Sequence, residues 1–309
     1  MTQDWTLEEA LAYYRRQGAP GEQGALVALL REVQEERGGA LPAADLAEIA
    51  AALSGRVIGR EVVCLDTVDS TNSEVKRRSA GGAPEGLAVL ADEQTGGRGR
   101  RGNAFQSLRG KGLYCSVLLR PARPPEDLGQ LNAWTAVAVC RGIQSCCGAE
   151  PQIKWTNDIL LNGKKLCGVL TELELEAESA APSHVVVGLG VNVSQTAADF
   201  GPELADIATS LELEGFSVRR AELAGQILAA LDDLYAAFPA GKADYLSDYR
   251  ARCVTTGREV LLLRGDAQVP AFAEAVDDDF GLVVRCPDGR RETVTSGEVS
   301  VRGLMGQYV

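Results

Sequence analysis

The chain holds one histidine, His184, and eight cysteines, yet no Cys-x-x-Cys pair. That scarcity excludes the usual zinc and iron–sulfur spacings, and no resident metal site is expected. Several cysteines lie inside apolar runs, where they read as reduced core thiols. His184 precedes Val185-Val186-Val187 and reads as structural. Basic residues are also in deficit: 31 Lys and Arg stand against 43 Asp and Glu, a formal net charge of −12. Such a balance argues against a broad nucleic-acid footprint, and DNA binding is not expected. No run of 18 apolar residues occurs, so no membrane span is expected. Met1 to Glu8 shows neither a basic nor an apolar leader segment. A cytoplasmic protein follows as the expectation.

Against that acidic background, Gly96-Gly97-Arg98-Gly99-Arg100-Arg101-Gly102 stands out. Glycine permits close backbone approach and φ > 0. Arginine forks onto carboxylate and phosphate oxygens. The combination suits an anion site, although a flexible, solvated loop would have the same composition.

The 309 residues divide into three blocks. Residues 1–56 carry apolar residues at helical spacing, such as Leu26, Leu29, Leu30 and Val33, and end in a linker. Residues 57–253 alternate strands and helices: strands at 62–65, 86–92, 112–119, 158–161, 165–173 and 185–193, and helices at 128–147, 219–238 and 241–252. Thr71-x-x-Glu74 is a capping-box signature that opens a further helix. Asn162-Gly163 marks a hairpin turn. Residues 254–309 switch to short strands separated by Gly, Pro and Asp turns, the spacing of a small SH3-type barrel.

Four segments carry the chemistry. They are Asp69-Ser70-Thr71-Asn72; Gln94 through Gly102; Lys154-Trp155-Thr156-Asn157-Asp158 with Lys165-Leu166-Cys167-Gly168; and Gly188-Leu189-Gly190-Val191-Asn192. In this order and spacing the chain resembles the biotin protein ligases, with their S-T-N, G-R-G-R-x-G, K-W-P-N-D, K-L-x-G and G-x-G-x-N hallmarks. The ending Gly297-Glu298-Val299-Ser300-Val301-Arg302 is similar to the family's close. The resemblance covers roughly residues 57–302. It implies an α/β fold: a class II synthetase-like catalytic domain, a mixed sheet with helices, followed by a C-terminal SH3-like β-barrel.

The resemblance further implies a two-step reaction. Biotin and ATP, with Mg2+, give biotinyl-5′-AMP and pyrophosphate. A lysine of a biotin carboxyl carrier protein or domain then takes the biotinyl group. Biotin's carboxylate is already ionised at neutral pH. The obstacle is anion meeting anion, which fixed cations relieve. Arg98, Arg100 and Lys165 match the family's catalytic cations. Ser70, Thr71, Asn72, Gln94, Gly97, Arg98, Gly99, Arg100, Lys165 and Gly168 match the biotin-binding positions. Arg100, Phe105, Lys165 and Asn192 match the ATP and adenylate positions. Ser70 and Thr71 fit equally as helix caps. Trp155 reads as packing, Asn157 and Asp158 as turn residues inside the site, and Lys164 as a solvated neighbour. A homodimer is compatible with the resemblance.

Departures stand beside the matches. Thr156 replaces the usual proline, so a stiff element is lost. Asn103 and Phe105 replace a usual basic residue and tryptophan, leaving Phe105 as the aromatic lid. Residues 1–56 show no wing hairpin and no arginine-bearing reading helix. They resemble instead the helical bundle that opens thioredoxin-like ferredoxin subunits, without the cluster-binding half. A lipoate–protein ligase would favour a histidine-bearing glycine loop that is absent here. A biotin-sensing repressor would need the reading helix.

Overall fold

The computed structural model describes residues 53, 56–99, 104–175, 182–264, 267–295 and 300–303. Apart from Leu53 and Arg56, the helical block expected over 1–56 lies outside the described residues. Arg100, Arg101, Gly102 and Asn103 also lie outside them.

Seven strands form one mixed sheet. They are β1 (Val62–Val68), β2 (Ala88–Gln94), β3 (Gly112–Leu119), β4 (Gln152–Lys154), β5 (Asp158–Leu161), β6 (Lys164–Leu175) and β7 (Pro182–Asn192). Their spatial order is β1-β2-β3-β7-β6-β5-β4. Only β1 and β2 run parallel; every other pair is antiparallel. All eight residues of β3 are buried, as expected for a central strand covered on both faces.

Six helices complete the described part: α1 (Thr71–Ala80), α2 (Pro125–Leu128), α3 (Leu131–Cys147), α4 (Ala197–Leu204), α5 (Arg220–Ala237) and α6 (Lys242–Arg252). α1 covers one sheet face over Val75, Leu87, Val89, Leu118 and Val186. α3 and α5 cover the other, over the alternate residues of β3 and β7, such as Cys115, Val117, Val187 and Leu189. Trp134 of α3 stacks on Tyr245 of α6 at 4.3 Å. A buried ion pair between Arg220 and Asp92, at 2.6 Å, ties α5 to β2.

Five further strands make a separate antiparallel sheet: β8 (Arg258–Arg264), β9 (Ala267–Val276), β10 (Leu282–Arg285), β11 (Arg291–Val294) and β12 (Ser300–Gly303), in the order β11-β10-β9-β8-β12.

One local expectation is corrected. α1 does begin at Thr71, but no capping box forms there. Glu74 pairs along the helix with Arg77 and Arg78, at 2.9 and 2.7 Å. The Thr71 hydroxyl is spent on Gln94 instead. Among the described residues a capping box forms at Thr196 and Asp199, opening α4. The hairpin turn at Asn162-Gly163 is present, both residues having positive φ, 50° and 80°.

Candidate functional site

The site's floor comes from strand alternation. Side chains on one face of a sheet recur every second residue. Pairing places Gly168 of β6 opposite Gly190 of β7, and Ser116 of β3 opposite Gly188. Gly168, Gly188 and Gly190 thus share the α1 face, while Leu189 between the latter two and Val191 after them fill the core behind. A shallow floor results, and two side chains from elsewhere lie on it. A Cβ at Gly188 would fall 2.8 Å from Asn72 Cγ, and one at Gly190 would fall 2.5 Å from the Phe105 ring. Gly168 borders Lys165 Nζ and Phe105, at 3.6 and 3.7 Å from an ideal Cβ.

At one end, the start of α1 meets β2 and β3 in a chain of hydrogen bonds. Gln94 Oε1 accepts from the Thr71 N–H and hydroxyl at 2.8 and 3.1 Å. Gln94 Nε2 donates to Ser107 Oγ at 2.8 Å, and Ser107 Oγ donates to the Phe105 carbonyl at 3.1 Å. Ser116, fully buried, reaches Thr71 Oγ1 at 2.7 Å and Asn72 Oδ1 at 2.5 Å. Asn72 Nδ2 donates to Glu172 at 2.7 Å. Ser70, Thr71 and Asn72 are all buried. Asp69 anchors the turn before α1: it accepts from the Ser70 N–H and pairs with Arg77. The hydrogen bonds from Arg77 hold its carboxyl at about 2, below the ordinary 3.8.

The glycine–arginine loop leaves this end as two paired limbs. Gln94 bridges Ser107, Arg98 bridges Ala104, and the Phe105 N–H donates to the Gly97 carbonyl at 2.9 Å. Gly97 has no room for a side chain, since a Cβ would lie 2.6 Å from Ser107 Oγ. Arg98 reaches back to Ser73 at 3.1 Å and to Glu172 at 3.5 Å. Phe105 packs edge-on against Tyr114.

At the other end stands Lys165. The β5–β6 pairing skips a register step, so Leu160 opposes Lys165 while Ile159 opposes Cys167. Such bulges re-aim a side chain. The Lys165 main chain pairs with residues 207–209 on its other side, and its Nζ sits 2.6 Å from Asp158. The preceding turn is clamped from three directions. Thr255 accepts from the Trp155 N–H, the Phe280 carbonyl accepts from Trp155 Nε1, and Tyr249 donates to the Thr156 carbonyl. These bonds stand where proline would have supplied stiffness. Trp155 is packing, as expected. Asn157 donates to the Val169 carbonyl. Lys164 is not simply solvated: its Nζ donates to the Ala205 carbonyl. Asn192 is buried, donating to the Thr209 carbonyl and accepting from Gln195.

The structure thus brings Ser70, Thr71, Asn72, Gln94, Gly97, Arg98, Phe105, Lys165 and Gly168 to one sheet face and its loop. Sequence inspection missed Ser107, Ser116 and Glu172, which hold those residues in place. Among the described residues, no group of three His, Cys, Asp or Glu could hold a metal ion.

The described site is a glycine floor on a mixed α/β sheet, with a hydrogen-bonded chain through Thr71, Gln94 and Ser116 and with Arg98 at one end and Lys165 at the other. Comparison with known proteins supplies the family. Residues 64–192 match the Biotin/lipoate A/B protein ligase family, and residues 255–302 match the Biotin protein ligase C terminal domain. The Bacillus spizizenii "Bifunctional ligase/repressor BirA" is 40% identical over 61% of this chain and 58% of its own length. The Mycobacterium tuberculosis "Biotin--[acetyl-CoA-carboxylase] ligase" is 31% identical over 78% of this chain and 88% of its own. The solved "Biotin protein ligase from Aquifex aeolicus in complex with biotin and ATP" superposes with a TM-score of 0.67 at 28% identity, covering 79% of this chain and 99% of that one. The chain belongs to the biotin protein ligase family. The resemblance of the first block to ferredoxin subunits finds no support in these matches, the first of which begins at residue 64. The match to the Bacillus ligase/repressor spans less than two thirds of that protein.

Proposed function

We propose that this chain is a biotin–protein ligase that makes biotinyl-5′-AMP from biotin and ATP and transfers biotin to a lysine of a biotin carboxyl carrier protein or domain. One observation carries the reading: the floor of Gly168, Gly188 and Gly190 has Lys165 at one end and, at the other, Arg98 beside the Thr71–Gln94–Ser116 chain. A carboxylate oxygen attacks the α-phosphorus of ATP, and pyrophosphate leaves. The acceptor amine then attacks the acyl carbon, AMP leaves with the bonding pair, and the amine sheds its proton to solvent.

Each residue's part is the one that its matching family position implies. Arg98 and Lys165, with Arg100 beyond the described residues, offset the charge of the two meeting anions. Ser70, Thr71 and Asn72 face the neutral ureido ring, and Gln94 orients the Thr71 hydroxyl. Gly97, Gly99 and Gly168 admit close backbone approach. Phe105 covers the adenylate, and Asn192 shapes the adenine side. Magnesium enters with ATP, as the magnesium nucleotide.

The same reading divides the chain at 57–253 and 254–309, with the first block before them. It takes the catalytic unit as class II synthetase-like and the second sheet as an SH3-like barrel. ATP as co-substrate fits a cytoplasmic setting. No DNA-binding role is assigned, and sedimentation would decide whether a homodimer forms. The decisive experiment incubates purified protein with a biotin carboxyl carrier domain. Labelling that requires biotin, ATP and magnesium is expected. No labelling by a folded sample, or equal transfer of lipoate, would overturn the assignment.

A further inference from the structure

Glu172 belongs to none of the motifs that carry the family resemblance, yet two site residues, Asn72 and Arg98, and a neighbouring lysine, Lys76, converge on it. It lies on β6 opposite Val186, on the sheet face that α1 covers. Its Oε2 accepts from Asn72 Nδ2 at 2.7 Å and lies 3.5 Å from Arg98 Nη2. Its Oε1 accepts from Lys76 Nζ at 3.2 Å. Lys76 is also held by Glu174. Burial pushes the Glu172 carboxyl up, but the hydrogen bonds from Asn72 and Lys76 and the charges of Lys76 and Arg98 outweigh it and leave it below the ordinary value.

We infer that Glu172 is a positioning residue for biotin binding, acting through Asn72 and Arg98. An ionised carboxylate only accepts hydrogen bonds. Asn72 must therefore present its NH2 to Glu172 and its carbonyl oxygen to Ser116, and the carboxamide cannot flip. The same oxygen, Oε2, holds Arg98, which also reaches Ser73, so a loop residue and a helix residue are set by one anchor. Lys76 and Arg98 offset the charge of Glu172, so its own repulsion of the substrate anion is largely cancelled, and orientation dominates.

The inference rests on the ligase reading above, and its test separates the two. Biotin affinity is measured by calorimetry, and biotin and ATP KM values by pyrophosphate exchange, on the full chain. In Glu172→Gln the amide can donate, Asn72 loses its fixed orientation, and Arg98 loses its anion. Hydrogen bonds to charged groups contribute about 1.5–3 kcal/mol, so biotin Kd and KM should rise at least about tenfold. The KM for ATP and kcat should stay within about threefold. Glu172→Asp, which restores the charge, should recover part of the affinity. Lys76→Met removes part of the offsetting charge but leaves the contacts of Glu172 with Asn72 and Arg98, and should raise biotin Kd by less than about threefold. Unchanged biotin affinity in Glu172→Gln would overturn the inference while the ligase reading stood. So would a uniform loss of kcat, both KM values and thermal stability shared by Lys76→Met. A wild-type protein that binds no biotin would overturn both.

Discussion

The Asn72 carboxamide fills the space that a side chain at Gly188 would occupy. A Cβ there would lie 2.8 Å from Asn72 Cγ and 2.9 Å from Nδ2. Asn72 cannot retreat easily, because Ser116 and Glu172 hold both ends of its amide. Gly188→Ala is therefore expected to displace Asn72, weaken biotin binding, and cost about 1–3 kcal/mol of stability, as overpacking does. Gly168→Ala is the control: its nearest neighbour would be Lys165 at 3.5 Å, an ordinary contact. Thermal melts of both variants check this. Equal melting losses would show that the glycine floor is not sterically graded.

Lys165→Ala should impair adenylate formation far more than folding. Its pair with Asp158 is partly exposed, with side chains 27% and 23% accessible, and such pairs contribute at most about 1 kcal/mol. A lost transition-state donor costs about 10²–10³ in rate. Biotin-dependent pyrophosphate exchange measures the loss. Near-normal exchange would remove Lys165 from the reaction.

The five motifs were legible in the sequence because glycines and cations at fixed spacing need no long-range information. The hairpin at Asn162-Gly163 and the strand limits of β3 and β5 were legible for the same reason: turn chemistry and apolar runs are local. Glu172 and Ser116 were not. Thr171-Glu172-Leu173-Glu174 alternates like a solvent-facing strand, and only α1, whose Asn72 is 100 residues distant, turns Glu172 into an anchor. Ser116 reads as one polar residue in a buried strand until pairing sets it opposite Gly188. The capping box was misplaced because Thr71 had a tertiary partner, Gln94, that competes for its hydroxyl. β4 has only three residues, too few for periodicity to register.

Truncation should respect Leu53. That side chain is buried, and Asp232 of α5 accepts from the backbone N–H groups of Val57 and Ile58 at 2.9 and 2.8 Å. Arg56 adds pairs to Asp232 and Asp233. A chain beginning at residue 53 should keep ligase activity. One beginning at residue 61 leaves Asp232 without these donors and should lose stability, with unpaired hydrogen-bonding groups costing about 1–3 kcal/mol each. Urea melts of the two truncations distinguish them. Equal midpoints would show that residues 53–60 are dispensable.

Asp69 predicts a pH signature. Its folded value of about 2 lies below the ordinary 3.8. A carboxyl with a depressed value stabilises the fold fully above the ordinary value, and that contribution disappears as the pH falls toward the folded one. Stability should therefore decline between about pH 4 and 2, and Asp69→Asn should flatten that part of the profile. The pair with Arg77 is half exposed, so the effect should shrink in high salt. An identical acid limb in the variant would remove Asp69 from the account.

Phe105 offers the sharpest separation of the two substrates. Its ring lies over Gly190, beside Gly168, and edge-on to Tyr114 at 6.4 Å between centroids. Its backbone belongs to the polar end instead: the N–H bonds Gly97 and the carbonyl accepts from Ser107. Truncation at Cβ leaves those backbone bonds in place and removes only the ring. Phe105→Ala should accordingly keep biotin affinity within about threefold while the reactive adenylate, no longer covered and shielded from water, escapes faster. Lysines on bystander proteins should then be labelled more, and the carrier domain less per ATP consumed. The adenylate dissociation rate and the bystander labelling measure the two consequences. If biotin affinity falls together with adenylate retention, the ring serves the polar end as well, and the assignment of Phe105 to the nucleotide side fails.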